Sequence, residues 1–319
     1  MFNLFKITVN AFKESVREPV YFLMLLCALV LIAHYPSAAL FVFSEQLKLV
    51  VDSSMATALI FGLIIAVLCA GHTVAREMRN GTVLLLLSKP VFRWSFILGK
   101  IIGIGIAVTL FAAICNFSTV ASIYIATDQF RMDMNIYYGF LGVIAAGCVA
   151  GMLANIWRSS SFSEISTYAL TVLVPLYAVY CMVFKPAPAL RLRDLACALV
   201  LLNFAVIAMS TLAVVFATRL DIVPNLCVCS TIFFLGLVSG YLFQRQTDSE
   251  LLNAFFAFCY AVIPSWQYFW LVDAIAVNRP IPISYVADCA VYVMLYIIIC
   301  SMWAVAIFQN KEVAGDLRV

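Results

Sequence analysis

The chain alternates long apolar runs with short polar stretches. A transmembrane helix needs about 20 mainly apolar residues. Runs of spanning length occupy residues 21–43, 56–74, 96–126, 136–157, 165–184, 196–217, 222–243 and 285–308. This pattern predicts an all-α, polytopic integral membrane protein with about eight spans, forming a single transmembrane domain over residues 1–319.

The first segment has a different pattern, with apolar and basic positions on opposite sides of one helix. The apolar stripe contains Phe2, Phe5, Val9, Phe12 and Val16. The polar stripe contains Lys6, Asn10, Lys13 and Arg17. Residues 1–18 are therefore predicted to form an amphipathic helix in the membrane interface. The alternative is a signal peptide with residues 21–33 as its apolar core.

Residues 249–284 break the regular pattern before the last span. The run 251–263 is apolar but too short to cross a bilayer, and Pro264 ends it. An aromatic cluster of the kind found at membrane interfaces follows: Trp266, Tyr268, Phe269 and Trp270. We predict an extracytoplasmic re-entrant or interfacial segment here.

The stretch from Arg76 to Lys100 is the most highly charged interruption between two spans. It carries five of the 19 basic residues, and its apolar run 83–87 is far too short to cross. Ser88-Lys89-Pro90 then disfavours helical geometry. We predict a short cytoplasmic surface helix, followed by Arg93, Trp94 and Lys100 as anchors at the lipid headgroups. The alternative is an ordinary basic cytoplasmic loop.

Composition agrees with a membrane protein. The chain is 65% hydrophobic and 11% charged, with a mean hydropathy of +1.07, which a soluble domain does not show. The net charge of +3 is no sign of nucleic-acid binding. Most of the 11 cysteines fall inside apolar runs, where they act as small hydrophobes. Cys227-x-Cys229 lacks the ligand spacing of a zinc site.

Several kinds of chemistry lack a sequence motif. No G-x-x-x-x-G-K-[ST] phosphate loop occurs, so any use of ATP must belong to a partner. The two histidines, His34 and His72, form no metal-binding or nucleophile-activating pattern. We predict no catalytic, cofactor-binding or metal-binding residue. An ion-coupled carrier usually needs carboxylates within its spans to bind the coupling ion, and here Asp288 is the one acidic residue well inside an apolar run. That carrier is the first alternative function, and a membrane enzyme or scaffold is the second.

The charged stretch also carries a family resemblance. Glu77, Gly81-Thr82, Ser88-Lys89-Pro90, Arg93 and Gly99-Lys100 resemble the signature of ABC type-2 permeases. These are the membrane subunits of ATP-binding-cassette exporters. Residues 217–226, Ile263-Pro264 and residues 308–313 resemble the last third of the same family.

The resemblance implies a permease subunit that is not itself an enzyme, with ATP and Mg bound by separate ATPase subunits. Residues 76–95 would be the coupling helix that docks on the ATPase. The contact candidates are Arg76, Glu77, Arg79, Asn80, Gly81 and Thr82. The region before the last span would form an outer gate or, alternatively, a purely structural interfacial helix. The gate candidates are Pro264, Trp266, Tyr268 and Trp270.

The resemblance also bears on topology and assembly. Many such permeases have six spans, so we expect one extra pair here, residues 165–184 with 196–217. Both termini are expected in the cytoplasm of a multi-pass protein of the cell (inner) membrane. This arrangement puts 12 Lys and Arg inside and seven outside, as the positive-inside rule requires, although Lys185, Arg191 and Arg193 fall outside. We expect two permease chains, identical or similar, with two ATPase subunits. Three glycine pairs four residues apart, at 99, 147 and 236, could pack helices within or between subunits. The substrate cannot be identified from the spans.

Overall fold

The computed structural model describes residues 2–42, 45–79, 93–126, 131–186, 188, 190–243, 250–277 and 279–309. Within these ranges the chain is helical and contains no β-strand. The helices are α1 (Phe2–Arg17), α2 (Pro19–Ala39), α3 (Gln46–Ala70), α4 (Arg76–Arg79), α5 (Arg93–Ile125), α6 (Met134–Arg158), α7 (Phe162–Phe184), α8 (Leu192–Ala217), α9 (Ile222–Phe243), α10 (Glu250–Val262), α11 (Val272–Ala276) and α12 (Ile283–Gln309). A π-helical turn, Gly71–Ala75, joins α3 to α4, and a 3-10 turn, Trp266–Phe269, lies between α10 and α11.

Eight helices among the described residues are long and apolar enough to cross a membrane, which confirms the predicted number of spans. They are α2, α3 (continued through the π-helical turn to Met78), α5, α6, α7, α8, α9 and α12. Helix α3 begins ten residues before its predicted apolar run. The added residues include Lys48, whose Nζ lies 3.2 Å from Oδ1 of Asp273. The helix therefore begins in a more polar stretch before the apolar span.

Helices α3, α5 and α8 form the centre of the bundle. In their most apolar stretches 61–72% of the residues are buried, against 22–28% in α6, α7, α9 and α12. Helices α6 and α7 pack chiefly against each other at the periphery. The expected extra pair, residues 165–184 with 196–217, consists of the peripheral α7 and the central α8. Which pair is additional to six spans stays a prediction.

The spans alternate in direction, so their connections fall at two ends of the bundle. We call the end that holds α1, α4 and the α6–α7 connection the proximal end, and the opposite end the distal end. At the distal end Nζ of Lys185 lies 3.3 Å from Oδ2 of Asp133, which caps α6. Burial raises the pKa of Asp133, but hydrogen bonds from the Ile136 N–H and Lys185 outweigh it and lower the pKa. One of the three basic residues that the expected topology places outside is thus paired.

All three glycine pairs face other parts of the same chain. Gly99 and Gly103 face α1, Gly147 and Gly151 face α7, and Gly236 and Gly240 face residues 264–267. A Cβ added to Gly99 would lie 2.6 Å from Cγ2 of Ile7, closer than real contacts allow. The missing side chains let these segments approach closely, as small residues do in membranes. Each pair therefore serves a contact within the subunit.

Candidate functional site

The predicted coupling stretch begins where α3 leaves the bundle through the π-helical turn Gly71–Ala75. A Cβ on Gly71 would clash with the side chain of Ile222 at the start of α9, so the close approach of the two helices requires glycine here. Thr73 Oγ1 donates a hydrogen bond to the Cys69 carbonyl at 2.7 Å. π-Helical turns are rare in proteins, and those that do occur lie frequently at functional sites. Here the turn delivers Arg76 and Glu77 to the proximal end.

Glu77 belongs to a three-residue ion cluster with Lys100 of α5 and Glu14 of α1, which we call the Lys100 clamp. Nζ of Lys100 donates to Oε1 of Glu77 at 2.9 Å and to Oε2 of Glu14 at 3.1 Å. The side chain of Lys100 is only 5% exposed. One buried cation thereby connects the start of the coupling stretch, the amphipathic helix and a central span.

The close packing of α1 on α5 positions the clamp. Helix α1 lies against Gly99 and Gly103, which bracket Lys100. On the same side of α1, Ala11 and Ser15 are buried, which turns Glu14 toward α5. Phe5 on the predicted apolar stripe is 70% exposed. Of the predicted apolar stripe, Val16 is buried in the protein and Phe5 is exposed, so the placement of α1 in the membrane interface stays a prediction.

The charges of the clamp are unequal, because two carboxylates face one ammonium group. Burial raises the pKa of the Glu14 carboxyl above its usual value, although Lys100 acts in the opposite direction. Nζ of Lys100 also lies 5.8 Å from the centre of the Phe96 ring, within the range of a cation–π contact. A buried ammonium without a counter-ion would be strongly destabilising. The two carboxylates therefore hold Lys100 in place.

The clamp borders a cavity of about 610 Å³ between α1 and the start of α5. Its charged lining residues are Lys13, Glu14, Arg17, Glu18, Glu77 and Lys100. Nε of Arg17 lies 2.6 Å from Oε2 of Glu164, which joins α1 to the peripheral helix α7. Nδ1 of His72 lies 3.9 Å from Oε1 of Glu18. The proximal end thus has a mixed-charge recess rather than a uniformly basic surface.

The predicted contact residues fall in different environments. Arg76 is exposed, whereas Glu77 is half-buried and turned toward Lys100. Arg79 ends α4, and Asn80, Gly81 and Thr82 lie outside the described residues. Lys100 was expected to anchor the chain at the headgroups, and this prediction is wrong, since the residue is buried and ion-paired. Sequence reasoning missed Glu14. A lysine between two close-packing glycines was the available signal that a helix covers this position.

The second predicted site is the segment between α9 and α12. Trp266 is 2% exposed and packs against Gly236, with ring centres 6.2 Å from Phe233 and 6.5 Å from Phe269. Gly236 lies seven residues before the distal end of α9 at Phe243. At 1.5 Å per residue, the turn at Trp266 lies about 10 Å inside the bundle. The segment therefore enters from the distal end and returns to it.

The four gate candidates divide into a buried and a surface pair. Pro264 and Trp266 are buried, whereas Tyr268 is 40% exposed and Trp270 is half-buried. The Tyr268 and Tyr260 hydroxyls lie 2.6 Å apart. Tyr285 donates to the Tyr268 carbonyl at 2.7 Å. These bonds tie the segment to α10 and α12.

The ends of the segment are tied to the central helices as well. Asp273 of α11 pairs with Lys48 at the start of α3. The Ile281 N–H donates to Oδ1 of the buried Asp194, near the start of α8, at 3.1 Å. The turn at Trp266 thus lies between two fixed points at the distal end.

The fold and these two sites define an α-helical multi-pass membrane protein with a charged connection at one end and an inserted segment at the other. The family model described as "ABC-2 family transporter protein" matches residues 7–313. The chain therefore belongs to the ABC-2 transporter family and is the membrane permease subunit of an ABC transporter. Membership implies association with ABC ATPase subunits. No individual curated protein matches the chain.

Proposed function

We propose that this permease is part of an ATP-driven exporter in the cell (inner) membrane, in which separate ATPase subunits hydrolyse ATP. The observation that carries the proposal is the Lys100 clamp. The clamp joins α4, the start of the segment that we expect to contact the ATPase, to α5 by a direct ion pair. Helix α5 is one of the three central spans. A force on α4 would reach the transmembrane bundle through an ion pair of 2.9 Å.

The clamp favours transmission of motion as a rigid body. A change in the ATPase affects the permease only if the two states of the permease contact it differently. Arg76 is exposed and offers the contact, whereas Glu77 faces inward and offers the linkage. When α4 moves, α5 and α1 must move with it or lose the counter-ions of Lys100. We therefore assign contact with the ATPase to Arg76 and to the contact candidates that follow Glu77. We assign transmission of the motion to Glu77.

The distal segment is suited to act as the outer gate. Trp266 fills the space beside Gly236, and Gln267 Nε2 donates to the Leu237 carbonyl at 2.8 Å. Both contacts are local, so the turn can leave α9 while Asp273 and Ile281 stay attached to α3 and α8. Release of Trp266 would open a path at the distal end for outward movement of substrate.

The distribution of basic residues supports a cytoplasmic proximal end. By sequence, 12 of the 19 Lys and Arg lie at or near that end, including the buried Lys100 near the start of α5. Both termini would then be cytoplasmic. Because ABC ATPases work as pairs around two nucleotides, two permease chains related by a two-fold axis along the membrane normal are the expected assembly.

Purification of the native complex tests the proposal. A tagged chain should co-purify with ATPase subunits at equal stoichiometry, and mass measurement should give two copies of each. Arg76→Ala should weaken recovery of the ATPase. Arg158→Ala, which removes an exposed positive charge from the same end of the bundle, serves as the matched control. A complex with one permease chain and no similar second permease would contradict the assembly.

A further inference from the structure

Three basic residues lie at the distal end of the bundle, in and beside the short connection between α7 and α8: Lys185, Arg191 and Arg193. Under the proposed topology this connection lies outside the cytoplasm. Short loops on that side of a membrane normally contain few Lys and Arg. Positive charge at this position therefore calls for an interaction that compensates it.

Within the described part of the chain, only Lys185 has such an interaction, because its Nζ lies 3.3 Å from Oδ2 of Asp133. Arg191 and Arg193 are exposed. Neither of their guanidinium groups has an ion pair or a hydrogen bond among the described residues. The neighbouring carboxylate, Asp194, is buried and accepts a backbone N–H from the connection before α12. Two arginines are thus available to an anion.

An apolar groove of about 230 Å³ begins directly below these arginines. Its lining comes from residues 113–120 of α5, Met182 of α7 and residues 192–203 of α8, and we call it the distal groove. Among the lining residues, Leu195 lies four positions after Arg191, and Ala196 lies three positions after Arg193. Residues at these spacings are neighbours on a helix surface. The two arginines therefore flank the upper end of the groove.

The distal groove has the depth of one leaflet and opens to the lipid. Its lining on α8 covers 11 residue steps, from 192 to 203, or about 16 Å of helix. Half of a hydrocarbon core is about 15 Å thick. Phe117, Met182 and Val200 are 38–43% exposed. The lining is apolar except for two asparagines near its deep end. One acyl chain of the distal leaflet could therefore lie along it.

The polar groups at the mouth of the distal groove favour an anionic headgroup. Guanidinium groups form paired hydrogen bonds with phosphate oxygens. Basic pockets between transmembrane helices bind anionic headgroups. Helix α8 also begins here, without a side-chain cap, and its first turn carries the positive end of the helix dipole. A lipid whose acyl chain lies in the groove would hold its phosphate at this level.

We propose that the distal groove binds an anionic phospholipid of the distal leaflet, with one acyl chain along α8 and the phosphate between Arg191 and Arg193. The recognised chemistry is a phosphate group joined to a long apolar chain. Such a lipid supplies the counter-charge for basic residues on the side where the positive-inside rule disfavours them. The site is separate from the Lys100 clamp and from the segment at Trp266, so it requires neither ATPase binding nor transport.

A second copy of this chain is a poorer occupant of the distal groove. Two chains related by an axis along the membrane normal would place the same face opposite itself at the same depth. Arg191 and Arg193 of one copy would then lie near the same residues of the other. Like charges repel, so the contact would leave the arginines without a counter-ion.

Native mass spectrometry of the purified full chain tests the site. The probe is dioleoyl phosphatidylglycerol, and dioleoyl phosphatidylcholine, whose choline group adds a positive charge, is the comparison lipid. Each arginine near a lipid surface contributes about fivefold in affinity for an anionic lipid. Arg191→Gln with Arg193→Gln should therefore weaken phosphatidylglycerol binding about 30-fold and remove the preference over phosphatidylcholine.

A second variant separates the groove from the charge. Ala196→Phe places a ring in the groove at an exposed position and keeps both arginines. It should also weaken phosphatidylglycerol binding, to which a site made of surface charge alone would not respond. Arg279→Gln is the matched control. Arg279 is exposed at the same end, in the connection whose Ile281 contacts Asp194 on the face of α8 opposite the groove. This variant should bind the lipid like the wild type.

Four results would overturn the proposal. The first two are unchanged phosphatidylglycerol binding in the double glutamine variant and unchanged binding in Ala196→Phe. The third is displacement of the lipid by inorganic phosphate in large excess, which would assign the arginines to a soluble anion. The fourth is a dimer that dissociates in Ala196→Phe, which would assign the groove to a second copy. None of these measurements uses the ATPase, so each outcome leaves the proposed exporter function standing.

Discussion

The Lys100 clamp makes a quantitative prediction about stability, because its cation is buried and its two anions are partly exposed. The side chains of Lys100, Glu77 and Glu14 are 5%, 25% and 38% exposed. Glu77→Gln should lower the free energy of unfolding by about 1.5–3 kcal/mol, the contribution of a hydrogen bond to a charged group. Glu14→Gln should change it by less than about 1 kcal/mol, since burial disfavours the charged form of Glu14 and solvent screens this more exposed pair.

The double variant should show a larger effect than the sum of its parts suggests. With both carboxylates gone, Lys100 is a buried ammonium without a counter-ion, which costs about 3–5 kcal/mol. Adding Lys100→Met removes that charge and keeps an apolar stem of similar length. The triple variant should therefore recover to within about 1 kcal/mol of the wild type, as replacement of a whole buried ion cluster commonly does.

Unfolding of the purified chain by denaturing detergent, followed by circular dichroism, measures these differences. Coupling is measured separately, as substrate-stimulated ATP hydrolysis in the assembled complex. The triple variant should be folded but uncoupled, because α4 is no longer connected to α5 by charge. Two results would refute the reasoning: a triple variant no more stable than the double variant, or a stable triple variant that couples normally.

Three further predictions concern other parts of the molecule. Gly236→Ala should destabilise the distal segment by about 1–3 kcal/mol through overpacking, because the new Cβ would lie 2.5 Å from Nε1 of Trp266; intrinsic fluorescence reports the change. Gly142→Ala, whose Cβ meets nothing within 4 Å, should be silent. Burial raises the pKa of Glu14 in the folded chain above its pKa in the unfolded chain. The free energy of unfolding should therefore fall as the pH rises from the unfolded-state pKa through the folded-state pKa. Glu14→Gln should flatten that part of the pH profile, and an unchanged slope would assign it to another group. In a cysteine-free background, Phe5→Cys should react only with reagents from the cytoplasm and Tyr268→Cys only with reagents from outside; the reverse pattern would invert the topology.

The spans could be predicted from the sequence because each one is a continuous apolar stretch whose length alone decides its structure. The interruption at Pro264 likewise marked the inserted segment. Which spans are central could not be predicted from the sequence, because α8 and α12 have nearly equal hydropathy, yet α8 is mostly buried in the protein and α12 is mostly not. Whether a span is buried depends on which helices pack against it, and the hydropathy of a span does not indicate those helices.

The clamp escaped prediction for a related reason. Glu14, Glu77 and Lys100 are far apart in sequence, and each alone is compatible with a solvated surface charge. Lysine near a helix end beside tryptophan normally lies among the headgroups. Here α1 covers the position, and only the glycines on either side of Lys100 indicated that a helix would pack there.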